Sequence, residues 1–259
     1  MLGYHAGTLP AVIAMTESRV ALITGAARRI GAEIARTLHR AGFDLALHYR
    51  RSADEVEALR DALEALRPGS TLLLQADLAD IGRLPALVEA TLARFGRLDA
   101  LVNNASSYFR TPVGAIGLDD WNALFAANAQ GPLFLSQAAA PALATQRGTI
   151  VNLVDIYAER PLEQHTVYCM AKAALAMMTL SLARELGPAV RVNGVAPGNV
   201  LWSENPVKAE TLAVVEERTA LARQGSPADI AEAVRWLLVD ARYTTGQILR
   251  VDGGRSLFI

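Results

Sequence analysis

Short apolar runs alternate with helical segments along this chain of 259 residues, from about residue 19 to residue 251. Each run has the length of a strand buried on both faces, and parallel strands need helical crossovers between them. We therefore predict a single α/β domain with a doubly wound, seven-stranded parallel sheet and helices on both faces. The predicted strands are Val20–Thr24, Asp44–Tyr49, Thr71–Gln75, Leu98–Asn103, Gly148–Val154, Val190–Ala196 and Gln247–Val251. The predicted helices are Ile30–Ala41, Ala53–Leu66, Ile81–Phe95, Asp119–Thr145, Val167–Leu186, Leu212–Arg223 and Pro227–Val239.

Composition excludes several classes of protein. Hydrophobic residues make up 52% of the chain, which argues against disorder, and a net charge of -1 suggests neither nucleic acid nor a membrane as a partner. One cysteine excludes a disulfide framework, and the four histidines lack metal-ligand spacing, so we predict no metal site. No apolar run reaches the roughly 18 residues of a membrane span. We expect a cytoplasmic protein.

The first residues differ from the rest. Residues 1–14 lack the basic start and the small-residue cleavage site of a signal peptide. We expect them to be a disordered extension or the result of an upstream start, and we expect residues 15–259 to form the folded domain.

Two turns at the ends of the first two strands predict a nucleotide site. The first turn contains Gly25, Arg28, Arg29, Ile30 and Gly31, and small residues at a helix N-terminus offer N–H groups to a phosphate. The second strand ends in His48, Tyr49, Arg50, Arg51 and Ser52, without the acid that usually holds the ribose 2′-hydroxyl of NAD. Two arginines and a serine suit a 2′-phosphate, so we predict NADPH; a solvated basic turn is the alternative for either arginine alone.

Tyr168 and Lys172 form a second candidate site. Their i, i+4 spacing places both on one helix face, where an ammonium group should lower the pKa of the phenol and fit it for proton transfer. Asp155 follows a predicted buried strand and should face the crevice where open α/β sheets bind ligands. The alternative for Tyr168 and Lys172 is a surface helix with an extended lysine, and the alternative for Asp155 is a strand cap.

These residues resemble the short-chain dehydrogenase/reductases over Arg19 to Leu257. The resemblance implies a Rossmann fold, a nicotinamide cofactor and a homotetramer. It also implies cofactor contacts from the glycine turn and from Tyr168 and Lys172, and support of Lys172 by Asn128 through water, as in that family. The further cofactor contacts that it implies are Asp77, Leu78, Asn104, Ala105, Ser106, Pro197 and Gly198.

Departures from the usual pattern resemble the pteridine reductase branch, in a bacterial member. Arg29 replaces the second glycine, Ser106 and Tyr108 follow the Asn-Asn-Ala motif, and Asp155 replaces the catalytic serine thirteen residues before Tyr168. This similarity implies a pterin stacked on Tyr108 in the cofactor crevice and bound by Arg29, Ser106, Asp155 and Tyr168. Trp202, in the segment Asn199–Lys208 where we expect substrate specificity, either lines the substrate pocket or packs the lid. For Tyr108 the alternative is an ordinary aromatic of the crevice wall, and for Arg29 it is cofactor binding alone.

The predicted function is therefore an NADPH-dependent pteridine reductase. Tyr168 donates the proton, Lys172 lowers its pKa and holds the ribose, and Asp155 binds the pterin and relays the proton. The first alternative is a carbonyl reductase of the same superfamily that acts on a 3-oxoacyl or sugar substrate. The second is an NADP-sensing protein without turnover, which the intact Tyr168–Lys172 pair disfavours.

Overall fold

The computed structural model describes residues 18–200 and 209–258, and it confirms the predicted architecture. Seven parallel strands form one sheet in the order β3-β2-β1-β4-β5-β6-β7, so the chain starts at the centre and winds outward in both directions. The strands are β1 Arg19–Ile23, β2 Phe43–Tyr49, β3 Thr71–Gln75, β4 Ala100–Asn103, β5 Thr149–Leu153, β6 Arg191–Pro197 and β7 Ile248–Val251. The helices are α1 Arg29–Arg40, α2 Ala53–Glu64, α3 Leu84–Phe95, α4 Leu118–Phe125, α5 Gly131–Gln146, α6 Thr166–Leu186, α7 Ala209–Glu217 and α8 Pro227–Val239.

Alternate side chains of the central strands enter two separate hydrophobic cores. In β1, Ala21 and Ile23 pack with helices α1, α2 and α8, whereas Val20 and Leu22 pack with α3 and α5 on the opposite face. Because successive strand residues point to opposite faces, a run that is apolar throughout is buried on both sides. This layering leaves the carboxyl ends of the strands open on one edge, which is where α/β sheets bind ligands.

Three predicted helices differ from those in the structure by three residues or more. The predicted helix Ile81–Phe95 begins with a 3₁₀ turn over Ile81–Arg83, so α3 starts at Leu84. The segment predicted as one helix, Asp119–Thr145, consists of α4 and α5 joined by a π-helical turn over Ala126–Gln130. The predicted helix Leu212–Arg223 corresponds to α7, which lies earlier, because it ends at Glu217. Periodicity located apolar stretches but could not distinguish a π turn, whose hydrogen bonds differ by a single residue from those of an α-helix.

Among the described residues, one helix is long and apolar enough to cross a membrane by length and composition alone. This is α6, with 21 residues and a mean hydropathy of 1.4, so the estimate that no run reaches this length was wrong. The core helix of a globular domain passes the same test, and α6 packs on the sheet with Lys172 and Leu175 fully buried. We therefore assign α6 to the core of the domain.

Candidate active site

A crevice of about 930 Å³ lies at the carboxyl ends of β1, β2 and β4. Its walls are the turn after β1, the end of β2 and the residues that follow β3 and β4. Most of the residues predicted to bind the cofactor line it: Gly25, Arg28, Arg29, Ile30, Gly31, His48, Tyr49, Arg50, Arg51, Ser52, Asp77, Leu78, Asn104, Ala105 and Ser106. The crevice is also lined by Val200 and Pro227, which the sequence did not indicate.

The glycine turn is locked to the end of β4. The Asn104 side-chain amide donates to the backbone carbonyls of Thr24 (2.8 Å) and Gly25 (3.0 Å), and the Thr24 hydroxyl accepts from the N–H of Asn104 (2.9 Å). A Cβ at Gly31 would lie 2.2 Å from the Gly25 carbonyl oxygen and 2.6 Å from Asn104 Nδ2. Only glycine therefore fits at position 31, and the turn is rigid before any ligand binds.

Arg29, at the start of α1, holds a backbone conformation that usually belongs to glycine. Its φ is +52°, in the left-handed region, where a side chain costs about 1 kcal/mol. The side chain is exposed and lines the crevice beside Arg28. Backbone strain of this kind is concentrated at ligand and active sites.

His48 lies at the end of β2, directly before the residues predicted to bind the 2′-phosphate. Its ring is buried, and burial lowers its pKa to about 4, so the imidazole is neutral at physiological pH. Its Nδ1 accepts from the Gly25 N–H at 3.2 Å, and Nε2 bonds to the Ala76 carbonyl at 3.1 Å. His48 thus ties the glycine turn to β3, and it carries no charge toward a phosphate.

The arginines after β2 have different surroundings. The guanidinium of Arg50 lies 3.6 Å from the Asp77 carboxylate, whereas Arg51 is exposed on the crevice wall. Ser52 precedes α2 as its N-cap, yet its hydroxyl makes no capping hydrogen bond. A cation, an uncommitted hydroxyl and a helix N-terminus together fit a ribose 2′-phosphate, while Asp77 partly offsets the charge of Arg50.

Asp155 and Tyr168 form the centre of the second site. The Tyr168 hydroxyl donates to Asp155 Oδ2 at 2.6 Å, and Asp155 Oδ1 accepts from the Tyr157 N–H at 2.9 Å. Asp155 is therefore also the N-cap of the short 3₁₀ turn Ile156–Ala158. Asp155 therefore caps the turn after β5 with one carboxylate oxygen and accepts from Tyr168 with the other. The capping contact and the contact with Tyr168 do not exclude each other.

The predicted effect of Lys172 on the tyrosine is not found. Burial raises the pKa of Tyr168 well above its usual value, and the Asp155 carboxylate raises it further. Burial also raises the pKa of Asp155, and it lowers the pKa of Lys172 to about 8. The Lys172 ammonium lies 5.8 Å from the centre of the Tyr168 ring and donates to the Leu153 carbonyl at 2.8 Å. A nearby carboxylate and desolvation therefore outweigh the lysine, and Tyr168 keeps its proton at neutral pH.

Asn128 lies within the π-helical turn and is fully buried. Its Nδ2 donates to the carbonyls of Ser107 (2.8 Å) and Leu124 (2.9 Å), and its Oδ1 accepts from the Ser106 hydroxyl at 2.7 Å. The predicted support of Lys172 is thus not a direct contact. Instead, Asn128 holds the loop after β4, which connects the nucleotide crevice to the Asp155–Tyr168 site.

Tyr108 does not line the nucleotide crevice, contrary to the prediction from the sequence. One face is stacked on the His165 ring, with ring centres 4.7 Å apart, and the Tyr168 ring is nearly perpendicular at 4.9 Å. Tyr108 lines a separate surface pocket of about 490 Å³ with Phe109, Arg110 and residues 162–165. We had assigned no role to His165 from the sequence, although it immediately precedes α6, three residues before Tyr168, where a capping residue is expected.

Three further predicted residues do not line the crevice or lie outside the residues that the structure describes: Pro197, Gly198 and Trp202. Pro197 ends β6 beside Val251, and the Gly198 N–H donates to the Val251 carbonyl at 3.0 Å, so both join the sheet to its last strand. A Cβ at Gly198 would lie 2.5 Å from the Asp252 side chain, which explains the glycine by packing. Trp202 and residues 1–14 lie outside the described residues.

Comparison with known proteins places this site in a family. A family model described as enoyl-(acyl carrier protein) reductase matches residues 25–256. Pteridine reductase 1 of Leishmania tarentolae is 38% identical, and the match covers 92% of this chain and 96% of that protein. This chain belongs to the short-chain dehydrogenase/reductase superfamily.

Members of the superfamily with other substrates are nearly as similar. The granaticin polyketide synthase putative ketoacyl reductase 2 of Streptomyces violaceoruber is 36% identical over 93% of this chain and 97% of its own length. L-xylulose reductase of Caenorhabditis elegans is 34% identical over 96% of this chain and 99% of its own length. As a member of this superfamily, the chain is an oxidoreductase that uses a nicotinamide cofactor. Because relatives with different substrates are similarly close, the substrate has to be inferred from the site.

Proposed function

We propose that this protein is an NADPH-dependent reductase of pterins, with Tyr168 as the proton donor. One observation carries the proposal: the Tyr168 hydroxyl donates to a buried carboxylate, Asp155, at 2.6 Å, where the superfamily usually has a serine. A serine hydroxyl suits a carbonyl oxygen, because it can donate a hydrogen bond to it. A carboxyl group suits a pterin, which presents ring nitrogens and an amino group. The similarity to a pteridine reductase supports the same choice.

The cofactor preference is proposed from the end of β2. The donors there fit NADPH: Arg51 is exposed on the crevice wall, and Ser52 has a hydroxyl free of capping bonds. Arg28 and Arg29 flank the start of α1, where a pyrophosphate would meet the positive end of the helix. A bound NADPH would supply the hydride for the reduction.

Tyr168 and Asp155 would manage the proton. The raised pKa of Tyr168 keeps the phenol protonated, so it can donate to a ring nitrogen of the substrate. The pKa of the Asp155 carboxyl is raised by burial, which favours uptake of a proton, and the carboxyl could return this proton to the tyrosine through their shared hydrogen bond. Lys172, fixed by the Leu153 carbonyl, has further N–H groups that could orient the ribose and stabilise a transient phenolate.

A carbonyl reductase is the second candidate. The ketoacyl and xylulose reductases among its relatives favour it, since they resemble this chain almost as closely as the pteridine reductase does. A steady-state comparison with NADPH separates the two proposals: dihydrobiopterin, dihydromonapterin and dihydrofolate on one side, and a 3-oxoacyl thioester and a ketose on the other. Turnover of the carbonyl substrates alone would refute the pterin proposal. Tight NADPH binding with no turnover of either class would favour a sensing protein.

Two substitutions at Asp155 test its role directly. Asp155→Ser keeps a side chain that can cap the turn at Tyr157 but removes the carboxylate, so pterin turnover should fall by about 10²-fold while the melting temperature and NADPH affinity change little. Asp155→Asn keeps the shape and the capping oxygen, and it separates loss of the proton relay from loss of the cap. Wild-type pterin turnover in Asp155→Ser would remove Asp155 from the mechanism.

We also propose a homotetramer, and a cytoplasmic location stays a prediction. Exposed apolar side chains along α6 and the C-terminus support assembly, because apolar surface of this extent usually marks an interface. These side chains are Met170, Met177, Leu180, Leu257 and Phe258.

A further inference from the structure

The helix that carries Tyr168 is capped by a residue from a distant loop. α6 begins at Thr166, so Val167 and Tyr168 are the second and third residues of its first turn. The first N–H groups of a helix have no partner within it, and a side chain just before the helix usually accepts from one of them. His165 occupies that position, but its side chain makes no capping hydrogen bond. The Val167 N–H donates instead, at 3.4 Å, to the hydroxyl oxygen of Thr111, which lies 56 residues earlier in the chain.

Thr111 is held at this place by its own backbone. Its N–H donates to the Gln164 carbonyl at 2.6 Å, and it forms an isolated parallel bridge with His165. Gln164 has a φ of +61°, in the left-handed region, and such a conformation persists only where surrounding contacts maintain it. The Thr111 side chain is fully buried although its neighbours Arg110 and Pro112 are exposed. Because a buried hydroxyl requires hydrogen-bond partners, its contact with α6 is part of the packing of this region.

The side chains before Thr111 join the same two segments of the chain. The Tyr108 ring is stacked on the His165 ring, and it meets the Tyr168 ring edge to face at 4.9 Å. Residues 108–110 and 162–165 also line one surface pocket. The loop after β4 and the segment that leads into α6 therefore form one unit, which we call the clasp and define as residues 108–111 and 162–167.

We infer that Thr111 is a positioning residue for proton transfer: by capping α6 it holds the Tyr168 hydroxyl at the Asp155 carboxylate. This inference rests on the proposed role of Tyr168 as the proton donor, and it does not depend on the choice between a pterin and a carbonyl substrate.

The physical reason lies in the place of Tyr168 on its helix. The hydroxyl of Tyr168 reaches Asp155 Oδ2 at 2.6 Å, but Asp155 follows β5, whereas Tyr168 belongs to the first turn of α6. Helix ends open more readily than helix centres, so this distance depends on how firmly the first turn is held. Lys172, one turn further along, is anchored separately by its hydrogen bond to the Leu153 carbonyl at 2.8 Å. Loss of the cap should therefore displace the tyrosine more than the lysine.

Three variants isolate the hydroxyl of Thr111. Thr111→Val removes it and keeps the shape of the side chain, whereas Thr111→Ser keeps it. Thr91→Val is the matched control, because Thr91 is equally buried and its hydroxyl donates at 2.7 Å to the Leu87 carbonyl within its own helix, α3. Thr111→Ala, which also lacks the hydroxyl, replaces Thr111→Val if that variant does not fold.

The first readout needs neither cofactor nor substrate. Hydrogen exchange is followed by mass spectrometry in peptides that cover residues 165–170 and, for comparison, the centre of α6 around Leu175. Loss of a helix cap of ordinary strength should make the first turn exchange about 10-fold faster in Thr111→Val. Exchange at the centre of α6 should not change, and Thr111→Ser and Thr91→Val should match the wild type in both peptides.

The second readout is turnover with NADPH, with whichever substrate the wild type reduces. Thr111→Val should lower kcat by about 5- to 20-fold with unchanged NADPH affinity, because a misplaced proton donor slows the reaction without removing a cofactor contact. The solvent deuterium isotope effect on kcat should rise, since proton transfer then limits the rate more strongly. Thr111→Ser should restore most of the rate, and Thr91→Val should leave kcat and the isotope effect unchanged.

The outcomes separate the inference from the proposed function. Faster exchange of the first turn with unchanged kcat and isotope effect would give Thr111 a structural role alone and overturn the inference. Equal losses of kcat in Thr111→Val and Thr111→Ser, or in Thr111→Val and Thr91→Val, would overturn it as well. A wild type that reduces carbonyl substrates alone would refute the pterin proposal, while the expected pattern among the variants with those substrates would still uphold the role of Thr111.

Discussion

Replacing His48 gives a direct test of the electrostatics at the nucleotide crevice. The pKa of this buried imidazole is about 4 in the folded chain, against 6.5 for an ordinary histidine. The unfolded chain therefore takes up the proton first as the pH falls. The contribution of His48 to stability is fully present above pH 6.5 and is lost as the pH falls toward 4.

The size of the stability effect follows from the difference between these two pKa values. About 2.5 pKa units at about 1.4 kcal/mol each correspond to about 3 kcal/mol in total, of which about 2 kcal/mol should be lost between pH 7 and pH 5. His48→Asn offers an oxygen to the Gly25 N–H in place of Nδ1 but cannot titrate. The difference in unfolding free energy between wild type and variant should therefore shrink by about 2 kcal/mol over this range.

The assay is urea unfolding of both proteins at several pH values and one protein concentration. Asp44, Asp155 and His39, which also have shifted pKa values, titrate in both proteins and so cancel in the difference. A difference that stays constant from pH 7 to pH 5 would show that His48 is charged or solvated in the folded protein. The reasoning about the glycine turn would then fail.

The remaining predictions concern the cofactor and assembly. Arg51→Ala should weaken NADPH binding by about 1.5–3 kcal/mol and NADH binding far less, as measured by fluorescence titration; similar efficiency of both cofactors in the wild type would contradict this. Arg29→Gly should relieve the left-handed backbone and raise stability by up to about 1 kcal/mol, yet weaken NADPH binding; a loss of stability would show that the side chain packs rather than binds. The native protein should have the mass of a tetramer by light scattering at micromolar concentration, and Met177→Glu on the exposed face of α6 should dissociate it, whereas a monomeric wild type would refute the assembly.

The candidate site was only partly predictable from the sequence. The glycine turn, the residues after β2 and the spacing of Asp155 and Tyr168 are local patterns, and the structure brings each group together as expected. The chemistry of the same side chains was harder to predict. Tyr168 was taken as an acidified phenol, and this interpretation failed because a pKa depends on burial and on neighbours distant in sequence.

The sequence by itself determined the fold. The alternation of apolar runs and helical segments is a local pattern, and it predicts one parallel sheet covered by helices. Tertiary structure alone decided where single hydrogen bonds go. Asn128 enters the site from a π turn that hydrophobic periodicity cannot register, and Tyr108 meets His165 across two loops. Such contacts depend on the final arrangement of distant segments, and no pattern of neighbouring residues encodes them.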